Sequence, residues 1–159
     1  MERSRLSVFI GSSSEALDVA RAVENHLRRE VDVTKWTEAD WSAGSSFLEW
    51  LVGAVWEYDF ALMILSPDDW GTSRDETFKI PRANVIFELG LFMGRLGRTR
   101  TFIVQEQGLR LPSDLWGIRT FRYERRRGLA ADLSAPANDI ITQIKSQGPF
   151  RGTSKDHSE

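Results

Sequence analysis

Ile80 to Gly97 reads IPRANVIFELGLFMGRLG, and its pattern settles the architecture of the chain. Val85, Ile86, Leu89, Phe92, Met93 and Leu96 recur at spacings of three and four, the stripe of a helix packed on a core. Pro81 suits a helix opening, where its missing N–H costs nothing, and Gly97 suits a close through a left-handed conformation. Gly90 and Gly94 stand four apart, which predicts close approach by a neighbouring element. One carboxylate, Glu88, interrupts this apolar run, four residues after Asn84 and so on the same side of the helix. A charge flanked by Phe87 and Leu89 loses its water unless it escapes to solvent, pairs with Arg82 or Arg95, or faces a cleft.

Toward the amino terminus, Leu6 to Ile10 (LSVFI) reads as a buried strand stopping at Gly11, with a helix predicted from about Glu15 to Arg29. The intervening Gly11-Ser12-Ser13-Ser14 turn offers hydroxyls and free backbone N–H groups to a phosphate or ribose. It is equally the N-cap of an ordinary helix. The turn lacks both the GxGxxG fingerprint and the P-loop lysine. Val31 to Trp36 alternates as a second strand, followed by a polar loop carrying Trp36, Trp41 and Phe47. Those aromatics serve either as lids over a flat ring or as packing for the next helix, Phe47 to Trp56. Asp59 to Leu65 (DFALMIL) reads as a central strand buried on both faces, ending in the turn Ser66-Pro67-Asp68-Asp69.

Trp70 to Lys79 is polar and predicts a flexible loop. Arg100 to Gln105 gives a fourth strand, Leu111 to Leu115 a turn into a short helical segment, and Thr120 to Tyr123 a fifth, edge strand. Gly128 to Ile144 predicts a last helix broken or kinked at Pro136. Residues 1–146 therefore form one domain. Residues 147–159 read as a polar tail, or a linker to a domain absent from the sequence, with little to bury.

Alternation of strands and helices implies an α/β fold, a five-stranded parallel sheet with helices on both faces. Ligands in such sheets bind beyond the carboxyl ends of the strands. The Gly11–Ser14 turn, the Trp36 loop, the Ser66–Asp69 turn and the start of the Glu88 helix then share one rim. Candidate binding residues are Gly11, Ser12, Ser13, Trp36, Phe47, Ser66, Asp68, Arg82 and Asn84, arranged around Glu88.

Bulk properties narrow the function. A net charge of −2 and a pI near 5.8 give no electrostatic footprint for nucleic acid, and Arg125-Arg126-Arg127 reads as a solvated turn. Cysteine is absent, which excludes disulfides, thiol catalysis and cysteine-built zinc sites. His26 and His157 are far apart, so no metal site is expected. No signal peptide and no membrane-spanning run are seen, so the expected location is cytoplasmic.

The phrases VFIGSSSEALDVA (Val8 to Ala20), DFALMILSPDD (Asp59 to Asp69), NVIFELGLFMGRLGR (Asn84 to Arg98) and LPSDLWGI (Leu111 to Ile118) resemble the bacterial TIR-like nucleotide-binding domains of anti-phage defence. The resemblance extends over about Leu6 to Ile144. It implies a flavodoxin-like TIR fold that cleaves NAD, as substrate rather than cofactor, at the nicotinamide–ribose bond. Glu88 matches the family's catalytic glutamate, and Gly11, Ser12 and Ser13 match its first nucleotide-contacting loop. Trp36 to Phe47 corresponds to a loop that moves on assembly. The resemblance further implies activation by formation of a homo-oligomer or filament, and fusion to a cyclic-nucleotide sensor such as a STING or SAVED module. One departure stands out: relatives usually carry Arg-Asp-Asn where this chain has Arg82-Ala83-Asn84, so a carboxylate near the site is replaced by a methyl.

The chemistry suits a single carboxylate. Nicotinamide in NAD is already cationic and leaves as a neutral molecule, so the second, proton-donating acid of ordinary glycosidases is not needed. A carboxylate can accept hydrogen bonds from the ribose and stabilise charge developing at C1′. Water then completes hydrolysis, or adenine attacks to give a cyclic product. The alternatives are a TIR module that assembles without catalysis and another flavodoxin-like nucleoside enzyme, such as a deoxyribosyltransferase.

Overall fold

In the computed structural model, which describes residues 5–38 and 46–152, the chain begins with strand β1 (Ser7–Gly11) and helix α1 (Leu17–Leu27). Strand β2 (Asp32–Lys35), helix α2 (Phe47–Ala54) and strand β3 (Phe60–Leu65) follow. Strands β4 (Asp69–Ser73) and β5 (Glu76–Ile80) precede helix α3 (Ala83–Leu96). Strands β6 (Thr101–Glu106) and β7 (Thr120–Tyr123) and helices α4 (Leu129–Asp132) and α5 (Ser134–Gln147) complete the order. Trp41, the middle of its loop, and the tail from residue 153 with His157 lie outside the described residues.

The main sheet runs β2-β1-β3-β6-β7, every pair parallel. With β4 and β5 set aside this is the flavodoxin-like order, reversing direction between β1 and β3. Strand periodicity sorts the core into two layers. Val8, Ile10, Phe60, Leu62 and Ile64 face α1 and α5, in a cluster with Val19, Val23, Leu27, Ile140 and Ile144. Phe9, Ala61, Met63 and Leu65 face α2 and α3, meeting Leu51, Val85, Leu89, Phe92 and Leu96. Every residue of β1 and β3 is buried, as the unbroken apolar run predicted. Each such Leu, Ile or Phe contributes roughly 1.5–3 kcal/mol by burial.

Several local expectations are corrected. The polar loop at Trp70 to Lys79 is an antiparallel hairpin, β4 with β5, whose Ser73–Glu76 pair is closed by Arg74 and Asp75 at φ 48 and 65. Positive φ at both central residues is the turn that matches strand twist. At Gly71 a β-carbon would lie 3.1 Å from side-chain atoms of both Phe78 and Ile80, which would have to give by a few tenths of an ångström. Pro81 sits outside α3, ahead of the N-cap residue Arg82. Gly97 does close that helix at positive φ, 80°, but with an extended ψ of 169°. Gly90 and Gly94 face open space with nothing packed against them.

The last helical region breaks at Leu133, between α4 and α5, and not at Pro136. Pro136 falls in the first turn of α5, where no intrahelical bond needs its N–H. The segment after α5 is anchored as far as Phe150. Arg100 donates to the carbonyls of Gly148 (2.8 Å), Gln147 (3.2 Å) and Pro149 (3.3 Å). The Phe150 N–H bonds Asp59 at 2.9 Å, and its ring packs on the α2–α3 side of the core. No described helix is long and apolar enough to cross a membrane.

Candidate active site

The pocket begins where β1 runs out. Gly11 ends the strand, and Ser12 and Ser13 are buried in the turn that leads to α1. Trp36, just past β2, donates its indole N–H to Ser12 Oγ at 3.1 Å and so ties two strand ends together. Behind the turn, Ser66 donates to Asp68 Oδ2 at 2.7 Å, and its oxygen lies 3.4 Å from Ser13 Oγ. Ser66 and Asp68 thus orient Ser13 from outside the cavity wall.

The other wall is the start of α3. Asn84, Val85 and Glu88 line a cavity of about 250 Å³ with Ser12, Ser13, Trp36, Phe47 and Arg82. Phe47 opens α2, set by a capping box in which Ser46 and Glu49 satisfy each other's backbone N–H groups. Its ring also stacks on Trp50 at 5.6 Å, so it packs its own helix and lines the pocket at once. Val85 and Ser14 join the lining as well. Membership of the core stripe conceals Val85 in the sequence, and nothing there distinguishes Ser14 from a solvated hydroxyl.

Glu88 is 7% exposed, and among the described residues its Oε2 has no hydrogen-bond partner. The two arginines that would have neutralised it are engaged elsewhere. Arg82 bridges Glu15 at 3.0 Å and Asp69 at 3.4 Å. Arg95 lies over the rings of Trp56 (4.2 Å) and Phe150 (4.3 Å). Burial therefore pushes the Glu88 carboxyl up to about 7. Its dry surroundings do not come from Phe87, which is 55% exposed on the helix's outer face. They come from the sheet face beneath α3: a β-carbon on Gly11 would meet both Glu88 Oε2 and Met63 Sδ.

Glu15 and Asp69 engage the Arg82 guanidinium, which leaves Glu88 as the lining carboxylate without a counter-ion among the described residues. That balance favours a cationic group in the cavity and disfavours phosphate. No group of three or more His, Asp or Glu side chains among the described residues is arranged to hold a metal. His26 lies apart, its Nε2 2.7 Å from the Ala130 carbonyl. Ala83 also points elsewhere: it lines a separate hollow on the opposite side of α3, not the Glu88 cavity.

Comparison with known proteins places residues 7–125 within the model of the family described as CAP12/Pycsar effector protein, TIR domain. The Pycsar effector protein PaPycTIR of Pseudomonas aeruginosa is 45% identical over 148 residues, covering 89% of this chain and 48% of that protein. A CD-NTase-associated protein 12 from a Lachnospiraceae bacterium is 44% identical over 117 residues, 74% of this chain and 37% of that protein. One from Flavobacterium daejeonense is 41% identical over 137 residues, 86% and 43% respectively. The chain thus spans less than half the length of these relatives.

Proposed function

This chain belongs to the TIR-domain family of CAP12/Pycsar effectors, and we propose that it cleaves NAD between nicotinamide and ribose, with Glu88 as the catalytic carboxylate. The observation that carries this reading is an acid buried at the carboxyl rim of a parallel sheet with an oxygen left unpaired. A structural glutamate in that position would be neutralised by a partner; this one awaits a ligand that supplies the charge.

The pyridinium ring enters the acidic cavity and draws Glu88 into its ionised form. The C1′–N bond breaks, its electron pair returns to the ring nitrogen, and nicotinamide leaves neutral. The positive charge left on C1′ and the ring oxygen faces the carboxylate, whose attraction is strengthened by the water-poor surroundings. Water adds to C1′ and its proton passes to solvent, giving ADP-ribose. Trp36 and Phe47 supply ring faces for nicotinamide, while Asn84, Ser12 and Ser13 supply polar contacts to the ribose. Gly11 keeps room for the acid.

Within a full-length effector of anti-phage defence, this activity depletes NAD. It is switched on by homo-oligomerisation that a cyclic-nucleotide-sensing portion controls. The test is nicotinamide release from NAD by the chain held in an oligomer through a fused coiled coil. Wild type releases nicotinamide and Glu88→Gln loses roughly 10²–10³-fold or more, the scale of a lost charge-stabilising group. No release by wild type at any concentration would leave an assembly module without catalysis.

A further inference from the structure

The Glu88 cavity is too small and too acidic for the whole of the proposed substrate. Its 250 Å³ falls below the ~300–1,000 Å³ of sites for drug-sized ligands, and a dinucleotide is larger still. The phosphates and adenine of a dinucleotide therefore extend beyond this cavity.

A larger hollow, of about 550 Å³, opens between the β4–β5 hairpin and residues 110–116. Ala83 and Ile86 form part of its wall. At about 100° per residue these two project from the side of α3 opposite Asn84 and Glu88. The first turn of α3, with Arg82 before it, is the ridge between the two hollows. We propose that this larger hollow binds the adenine end of the dinucleotide, with Trp116 and Phe78 as ring faces and Arg110 as the cation toward phosphate. The inference rests on the NAD reading of the Glu88 pocket.

The chemistry of the walls differs from that of the Glu88 cavity in the direction the molecule requires. Trp116 lines the hollow and stands 77% exposed, so its ring is open to a ligand. In the same lining, the Arg110 guanidinium lies 4.3 Å from the Phe78 ring centroid and 3.8 Å from the Glu76 carboxylate. A flat purine stacks on such surfaces, and arginine adds attraction for both the ring and a phosphate. A β-carbon at Gly71 would stand 3.1 Å from the Phe78 ring, so the ring sits close over that glycine. With the cationic end in the acidic cavity, the pyrophosphate crosses the N-terminal end of α3, where backbone N–H groups point outward.

The test uses adenosine monophosphate as the probe, titrated into the chain and read from the tryptophan indole N–H signals by NMR. The Trp116 signal, identified by its loss in Trp116→Ala, moves on titration. Affinity falls roughly tenfold in Trp116→Ala, the loss of one base stack. Arg110→Gln also weakens binding, while Glu88→Gln binds the probe as wild type does. In turnover, Trp116→Ala raises KM for NAD about tenfold with kcat retained. A stationary Trp116 signal overturns the assignment. So does a Trp116→Ala variant that loses kcat at unchanged KM, the signature of a contact between copies. Normal NAD cleavage with KM indifferent to Trp116 removes the adenine site and leaves the Glu88 reading. Trp116-dependent probe binding without any NAD cleavage does the reverse.

Discussion

A β-carbon added to Gly11 would stand 2.8 Å from Glu88 Oε2 and 2.5 Å from Met63 Sδ. Both atoms end flexible side chains, so the added β-carbon displaces the Met63 thioether and the Glu88 carboxylate from where they stand. Gly11→Ala is therefore expected to destabilise the fold by about 1–3 kcal/mol. It should also lower nicotinamide release roughly 10²-fold, the effect of a misplacement near 1 Å. Urea unfolding and a release assay on one preparation check both. Full activity would mean that the acid works from another position.

Glu88 should also cost the fold stability. Its folded carboxyl sits at about 7, above the ordinary 4.5, so the native state holds the proton more tightly than the unfolded chain. The contribution is nil below the ordinary value, becomes unfavourable as pH rises between the two values, and is constant above. At its largest it amounts to at most ~3 kcal/mol. Glu88→Gln should match wild type near pH 4 and exceed its unfolding free energy by about 1–3 kcal/mol at pH 8. Urea melts at the two pH values decide it; a variant less stable at both would contradict the unpaired burial.

The same ionisation shapes the rate. For NAD, kcat/KM should rise with pH through a limb near 7, reporting Glu88 in the free protein. The limb in kcat should lie lower, because bound pyridinium favours the carboxylate. A kcat/KM profile flat from acid to alkaline pH would show that ionisation of Glu88 does not matter.

Ala83 occupies the first position of α3 and lies on its exposed side, facing the larger hollow. Ala83→Asp places a negative charge at a helix N-terminus and is expected to stabilise by about 0.3–1 kcal/mol. Because the side chain faces away from the acidic cavity, kcat should stay within about threefold. A large gain in kcat would show instead that a carboxylate there acts on Arg82 or on the substrate.

What the sequence made legible was whatever depended on periodicity and burial. The apolar runs at Val8 and Phe60 placed the central strands, and the α3 stripe placed Glu88 beside Asn84. The rim argument then brought the serine turn, Trp36, Phe47 and Arg82 to one hollow, as the structure does. The β4–β5 hairpin stayed hidden because one face is polar and solvated, and its turn uses Arg74-Asp75 where Asn-Gly would have advertised it. Ser66 and Asp68 read as substrate contacts but stand one layer back, a distinction of depth that spacing does not carry. The fates of Arg82 and Arg95 were also out of reach. Each is settled by partners far along the chain, Glu15 for one and Phe150 for the other.

Arg100 and Asp59 hold residues 147–150 at the strand starts, whereas the serine turn lies at the strand ends. A strand of six residues, the length of β3, separates these two poles by roughly 20 Å. An affinity handle or a surface-coupling group fixed past Phe150 therefore grips the molecule by its underside, with the mouth of the cavity turned toward the solution.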